Sequence, residues 1–414
     1  MSSNLQENNN NISDEKHEEI MEIEAIEDTS RDYNSNDDCD ATTSSQELQS
    51  NYFKSVGFDT RNVNLSYKTI QRQRIIHRKE IAKGLKEDLK FNDNYVVHWD
   101  GKLLSDIVGT ETVDRLPVLL TSSGSEQLLG IPKINSGSGI EQALAVYSTM
   151  EQWGVSNYIK AICFDTAATN TGIHHGAGVE LEKILKRKLI WLPCRHHVIE
   201  LVIKGVFEAY WPVQSGPNVP FFNRFKIGWN KINTSKYNAG INDKIVANIL
   251  LNKKDELLSF IDNYSQKFLP RNDYREFLEL SSIFLGATPK DNYTFKCPGA
   301  MSHARWMSKA IYCLKIFIFR TEFKITPKEL NNLRHICIFI VTTYIKAWFT
   351  SSSAILAPNN DLTLMQQLIL YNKINSTVSQ AALKKMVRHL WYLSDQLAIM
   401  SLFDDSIDLT VKKK

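Results

Sequence analysis

No two cysteines in this 414-residue chain are spaced Cys-x-x-Cys; the six stand apart at positions 39, 163, 194, 297, 313 and 337. That scatter excludes a zinc finger of the two-by-two kind and fits a reduced intracellular protein better than a disulfide-stapled secreted one. Also lacking is an opening stretch of positive charge followed by an apolar run. The most apolar later stretch, over 336–349, is interrupted by Thr342, Thr343 and Lys346. Neither secretion nor membrane insertion is expected, which leaves nucleus or cytoplasm.

Basic residues are nearly missing from the first fifty positions, which hold fourteen Asp and Glu against two Lys and Arg. The remainder reverses the sign, with forty-seven basic against thirty-two acidic residues, so the formal net charge of +3 hides an acidic leader on a basic body. Such a body suits a polyanion such as nucleic acid, and the leader could compete for the same face. The plainer alternative is a solvated leader. With few large apolar residues, positions 1–50 cannot bury enough surface to offset their ordering entropy, and disorder is expected there.

What is present is organised by period. Over 65–91 the apolar positions Ile70, Ile75, Ile76, Ile81, Leu85 and Leu89 alternate with Lys68, Arg72, Arg74, Arg78, Lys79, Lys83 and Lys86. This reads as a basic amphipathic helix, either a support or a contact to phosphate. From 94 onwards short apolar runs over 95–99, 115–120 and 126–131, separated by Gly- and Ser-containing turns, read as three strands. A helix follows over 139–153, with Ile140, Leu144, Tyr147 and Met150 on one face. Then come a strand over 158–164, a helix over 176–188, a strand over 189–192 and a helix over 197–211. The order βββαβαβα predicts a mixed five-stranded sheet covered by helices, the order of the RNase H fold.

Two carboxylates fall where that order brings strands to one edge: Asp100 follows the first strand and Asp165 ends the fourth. Paired carboxylates suit magnesium or manganese, hard ions that prefer oxygen ligands. The plainer readings are a turn at Asp100-Gly101-Lys102 and a helix cap at Asp165. Cys194 and His197 supply two ligands where tetrahedral zinc needs four, with Cys163 and His196 as the nearest additions; the alternative is a buried hydrogen bond from His197. Beyond Pro212 the chain turns helical in pattern, over 243–269, 274–284, 304–319, 327–349 and 363–402, with a loop over 287–301.

Together, Asp165-Thr-Ala-Ala-Thr-Asn170-Thr-Gly172, Cys194-Arg-His-His197, Arg305-Trp306 and His98-Trp99-Asp100 resemble the RNase H-like transposases of the hAT superfamily and their domesticated relatives. The resemblance covers roughly 95–310. It implies an RNase H-like core with an all-α insertion domain, Mg2+ or Mn2+ held by three acidic residues, two-metal phosphoryl transfer, DNA as partner and a second copy of the chain as a candidate partner. It implies neither a membrane nor a small-molecule substrate. Asp100 and Asp165 would be two of the three catalytic metal ligands. Asn170, Cys194, His197, Arg305 and Trp306 would be structural or DNA-binding.

The sequence departs from the family at the third acid, a Glu on a helix after the insertion, for which no matching segment is found. Glu200 lies 35 residues after Asp165, a spacing other RNase H-like enzymes use, but Ile199 and 201–203 make its helix largely buried, so it is the lesser candidate. The expected organisation is an acidic leader over 1–50, a basic helical segment over 51–91, an RNase H-like core over 92–212, and a helical insertion domain over 213–414 that ends short. An incomplete, inactive transposase-derived protein is expected; the alternative is a non-catalytic binding protein recruited from one.

Overall fold

A computed structural model of the chain describes residues 67–89, 94–105, 112–122, 125–211, 219–289, 293–299, 307–351, 353–390 and 394–413. The acidic leader, Arg305 and Trp306 lie outside the described residues. Contacts divide the chain into two compact units, Met1–Trp191 and Leu192–Lys414.

The first unit is built on a five-stranded mixed sheet. Its strands are β1 (Tyr95–Trp99), β4 (Val118–Ser122), β5 (Ser125–Gly130), β7 (Ile159–Phe164) and β8 (Ile190–Pro193), in the spatial order β5-β4-β1-β7-β8. β1 pairs antiparallel with β4, β4 pairs antiparallel with β5, and β1 pairs parallel with β7. Numbered within the sheet, the order is 3-2-1-4-5, which is the RNase H-like fold class. Alternation sets the faces: Tyr95, Val97 and Trp99 of β1 are buried while Val96 and His98 are half-buried, as period-two side chains require.

A second sheet was not expected from the sequence. β2 (Lys102–Ser105), β3 (Thr112–Arg115) and β6 (Lys133–Ile134) pair antiparallel in the order β2-β3-β6. Asp100-Gly101 therefore leads into a further strand, and Arg115 belongs to β3 instead of opening β4.

Three helices follow the sheet strands closely: α2 (Gly139–Trp153), the short α3 (Ala168–Thr171) and α4 (Ala177–Leu185). Preceding them all is α1 (Tyr67–Asp88). The buried face of α2 is turned away from Ile140 and Leu144 in the structure. Gly139, Ala143, Val146, Met150 and Trp153 are buried, whereas Ile140 and Leu144 are 44% and 47% exposed. The physical reason is close packing: a Cβ on Gly139 would stand 2.1 Å from the His175 carbonyl oxygen, so the small-residue stripe alone fits against α4. The core joins Val97, Leu120, Val146, Met150, Ile162 and Leu181, and each fully buried large side chain contributes about 1.5–3 kcal/mol.

The second unit is helical. The helix α5 (Arg195–Tyr210), which the sequence groups with the sheet layer, lies in it, with Val198, Val202, Ile203 and Val206 in its core. It continues with α6 (Pro220–Gly228), α7 (Lys244–Leu250), α8 (Lys254–Ser265), α9 (Asn272–Phe284), α10 (Ser308–Ile318), α11 (Pro327–Phe339), α12 (Ile345–Phe349), α13 (Ala357–Tyr371) and α14 (Ser376–Met386), then short turns to the C-terminus. One turn of π-helix, Ile340–Tyr344, joins α11 to α12. α11 opens with a capping box, Thr326 bonding the Glu329 amide while the Glu329 carboxylate takes the Thr326 amide, which satisfies two orphan donors at once.

Candidate metal-binding edge

Parallel pairing of β1 with β7 aligns Val97 with Ile162 and His98 with Cys163. Two residues further along each chain stand Asp100 and Asp165. The two aspartates thus occupy matching positions at the C-terminal ends of adjacent parallel strands, where neighbouring backbones run about 4.8 Å apart.

Asp165 is held by a defined polar net. Its Oδ1 accepts the Ala167 amide at 2.9 Å and Asn170 Nδ2 at 2.7 Å. Asn170, buried, in turn accepts Trp99 Nε1 on its Oδ1 at 2.9 Å. The chain Trp99–Asn170–Asp165 therefore ties the end of β1 to the carboxylate at the end of β7. Trp99 and Phe164 pack below it with ring centroids 4.9 Å apart, and Phe164 meets Trp191 of β8 edge-on at 5.4 Å.

This explains the residue types after Asp165. The carboxylate bonds the Ala167 amide, two residues on, and the Asn170 side chain, both through Oδ1, while the N-cap of α3 is Ala167 without a side-chain cap, so Asp165 does not cap that helix. Oδ2 takes no hydrogen bond from a described residue, and the neighbouring Thr166 hydroxyl is buried without a partner among them. After α3 the chain folds back sharply: the Gly176 amide bonds the Gly172 carbonyl at 2.8 Å, and a Cβ on Gly176 would approach the Gly172 and Asn170 carbonyl oxygens to 2.5 and 2.6 Å. Only a residue without a side chain permits that approach.

Asp100 is exposed. Beside the turn after it stands Asp114 of β3, a carboxylate the sequence reading passed over; a Cβ on Gly137 would lie 3.5 Å from its Oδ2 and one on Gly101 4.0 Å from its Oδ1. Asp114 belongs to the unexpected small sheet, so no strand pattern signalled it. His98 bonds Thr121 Oγ1 through Nε2 at 2.8 Å, and burial lowers its pKa to about 4, leaving a neutral imidazole at pH 7. Among the described residues no group of three or more His, Cys, Asp or Glu side chains is gathered to hold a metal ion.

The remaining candidates lie in the second unit. Glu200 accepts the Met307 amide at 2.6 Å and the Tyr344 hydroxyl, and burial raises its pKa above the usual carboxylate range. Met307 has φ of 59° and precedes α10, so Glu200 fixes a left-handed helix start. Cys194 and His197 are half-buried at the head of α5. His197 neighbours His389, whose pKa is lowered by burial and then by that proximity. His196 packs on Trp348 at 4.3 Å, with burial lowering its pKa to about 4. Between them Arg195 is buried in an ion pair with Asp361 at 2.6 Å and donates to the Ala357 carbonyl at 3.0 Å. Arg195 carries no motif signal of its own in the sequence beyond a charge set into an apolar helix.

No family model matches the chain, and no curated protein matches its sequence. Among solved structures, the Drosophila P element transposase strand transfer complex is similar to it at 12% identity over 86% of this chain and 85% of that one, with a TM-score of 0.27. The fold class rests on strand order and register, not on that likeness. No helix among the described residues is long and apolar enough to cross a membrane.

Proposed function

We propose that this chain is a transposase-derived RNase H-like protein of hAT type that associates with DNA and keeps a two-carboxylate edge for a divalent cation, without a complete catalytic set. The observation that carries the reading is the matched register of Asp100 and Asp165 on adjacent parallel strands. Oxygen donors on two strand ends fit Mg2+ or Mn2+, and Asp165 keeps Oδ2 outside its internal hydrogen bonds. When bound, such an ion supplies charge neutralisation at phosphate oxygens. Asn170 and the Ala167 amide orient the Asp165 carboxylate; Asp100 is exposed to meet a ligand.

Glu200 favours binding over chemistry. Its Oε1 takes both the Met307 amide and the Tyr344 hydroxyl inside the helical unit, and burial raises its pKa, which suits a structural role better than that of a third, charged metal ligand. The two-metal transfer implied by the sequence resemblance needs that third acid.

Calorimetric titration of the full chain with Mn2+ tests the edge. We expect saturable binding that Asp100→Asn and Asp165→Asn each weaken at least about tenfold, or about 1.4 kcal/mol, with the fold retained. Parent protein that takes up no Mn2+, or variants that bind as the parent does, would sink the metal reading. Manganese-dependent nicking of duplex DNA, lost in Asp165→Asn, would overturn the claim of an incomplete catalytic set.

A further inference from the structure

The helix α1 presents a row of cations along one side. At about 100° per residue, Arg72, Lys79, Lys83 and Lys86 fall within a sector of about 60°, and the row is about 21 Å long. Arg72, Lys79 and Lys83 are exposed. Arg72 and Lys79 make no ion pair or hydrogen bond among the described residues, and Lys83 meets only its own helix, 3.9 Å from Glu87. The stretch 67–79 contains no acidic residue. At its C-terminal end α1 is anchored: Lys86 lies over the Trp153 ring at 5.3 Å, and Leu89, just past the helix, packs on the core.

An anchored helix whose exposed cations fall mainly in one straight row, with Arg74 and Arg78 turned to another side, matches a regular polyanion, which in duplex nucleic acid presents a charge about every 3.4 Å along each strand. A membrane surface fits less well. Helices that lie in an interface need one continuous apolar face, whereas exposed Ile76 is turned about 140° around the axis from exposed Ile81 and about 180° from exposed Leu85. We infer that α1 is a backbone-tracking arm for duplex nucleic acid, touching phosphates without reading sequence. This rests on the proposed association with DNA and specifies which surface makes it.

The test uses the full chain and a fluorescein-labelled 20-base-pair duplex, with affinity followed by anisotropy over a series of KCl concentrations. The variant is Arg72→Gln/Lys79→Gln/Lys83→Gln, chosen because glutamine keeps good helix propensity; circular dichroism checks that helicity is unchanged. We expect weaker binding at every salt and a slope of log affinity against log salt smaller by about 3, one for each phosphate no longer neutralised. A control of equal charge removal on exposed lysines, Lys226→Gln/Lys231→Gln/Lys236→Gln, should leave the slope near that of the parent.

If the parent binds and the α1 variant keeps its slope, or the control falls as far, the arm assignment fails while association with DNA stands. If the parent binds no duplex at any salt, the DNA reading fails and the arm with it. Saturable binding to phosphatidylserine vesicles that the α1 variant abolishes, with duplex binding intact, would make the arm a membrane anchor and overturn the inference.

Discussion

Asp165 and Glu200 are both carboxylates drawn from partly buried segments, yet the two units use them in opposite ways. Asp165 spends one oxygen on Ala167 and Asn170, and its other oxygen takes no hydrogen bond from a described residue. Glu200 is surrounded by its own fold, bonded to a helix-start amide and to a tyrosine in the π-turn. Each places both of its hydrogen bonds on a single oxygen, Oδ1 of Asp165 and Oε1 of Glu200, so bond count does not separate them; burial does, since it raises the Glu200 pKa and disfavours the charged form an ion needs. An acid holds a divalent ion readily only where its surroundings do not disfavour its charged form.

The comparison is broken most forcefully by Glu200→Ala. That change strands the Met307 amide and the Tyr344 hydroxyl, both buried, and should cost about 3 kcal/mol in urea unfolding; a loss below about 0.5 kcal/mol would mean that Glu200 is not structural. Next comes Asn170→Ala, which removes the acceptor of Trp99 Nε1 and one donor to Asp165. We expect about 2 kcal/mol of destabilisation together with weaker Mn2+ binding, since Asp165 loses its orientation. Full ion affinity in a folded Asn170→Ala protein would show that the bridge is irrelevant to the edge.

A smaller effect sharpens the contrast through pH. Burial raises the Glu200 pKa above its ordinary 4.5, so between those values the folded chain binds more protons than the unfolded one. Its contribution to stability is therefore present below pH 4.5 and lost as pH rises through the raised value. Glu200→Gln keeps an acceptor for Met307 and Tyr344 but cannot ionise. Its unfolding midpoint, relative to the parent, should improve steadily from pH 4.5 to 7; a constant difference would place Glu200 in water.

Much of the first unit was legible in residue order. Three short strands, a helix, a strand, a helix and a strand predict a mixed five-stranded sheet of RNase H type; the spatial order 3-2-1-4-5 comes from the structure, with the two aspartates beyond the ends of its adjacent parallel strands. Local period conveys such things because each strand carries its own alternation. The small β2-β3-β6 sheet escaped because its strands are two to four residues long and follow a dipeptide, Asp100-Gly101, that resembles a terminating turn. The buried face of α2 does not follow the large apolar residues: Ile140 and Leu144 are larger, but it is the Gly139 side that approaches the backbone at Thr169, His175 and Ala177. The partners that decide the two carboxylates were out of reach for a different reason. Trp99 and Asn170 are 71 residues apart, and Glu200 meets residues 107 and 144 positions away; no window of sequence contains such pairs.

The π-turn Ile340–Tyr344 works as a gear change in the helix that runs from Pro327 to Phe349. An uninterrupted α-helix would bring each later side chain round by about 100° per residue without slack; one wider turn resets the phase once. The rod before it and the rod after it can thus answer to different neighbours, with Ile336 and Phe339 seated in the core on one phase and Tyr344 and Trp348 directed at Glu200 and His196 on another. Removing a single residue there would return the segment to an uninterrupted α-helix whose two halves keep their facing, so the extra residue is what the wider turn accommodates.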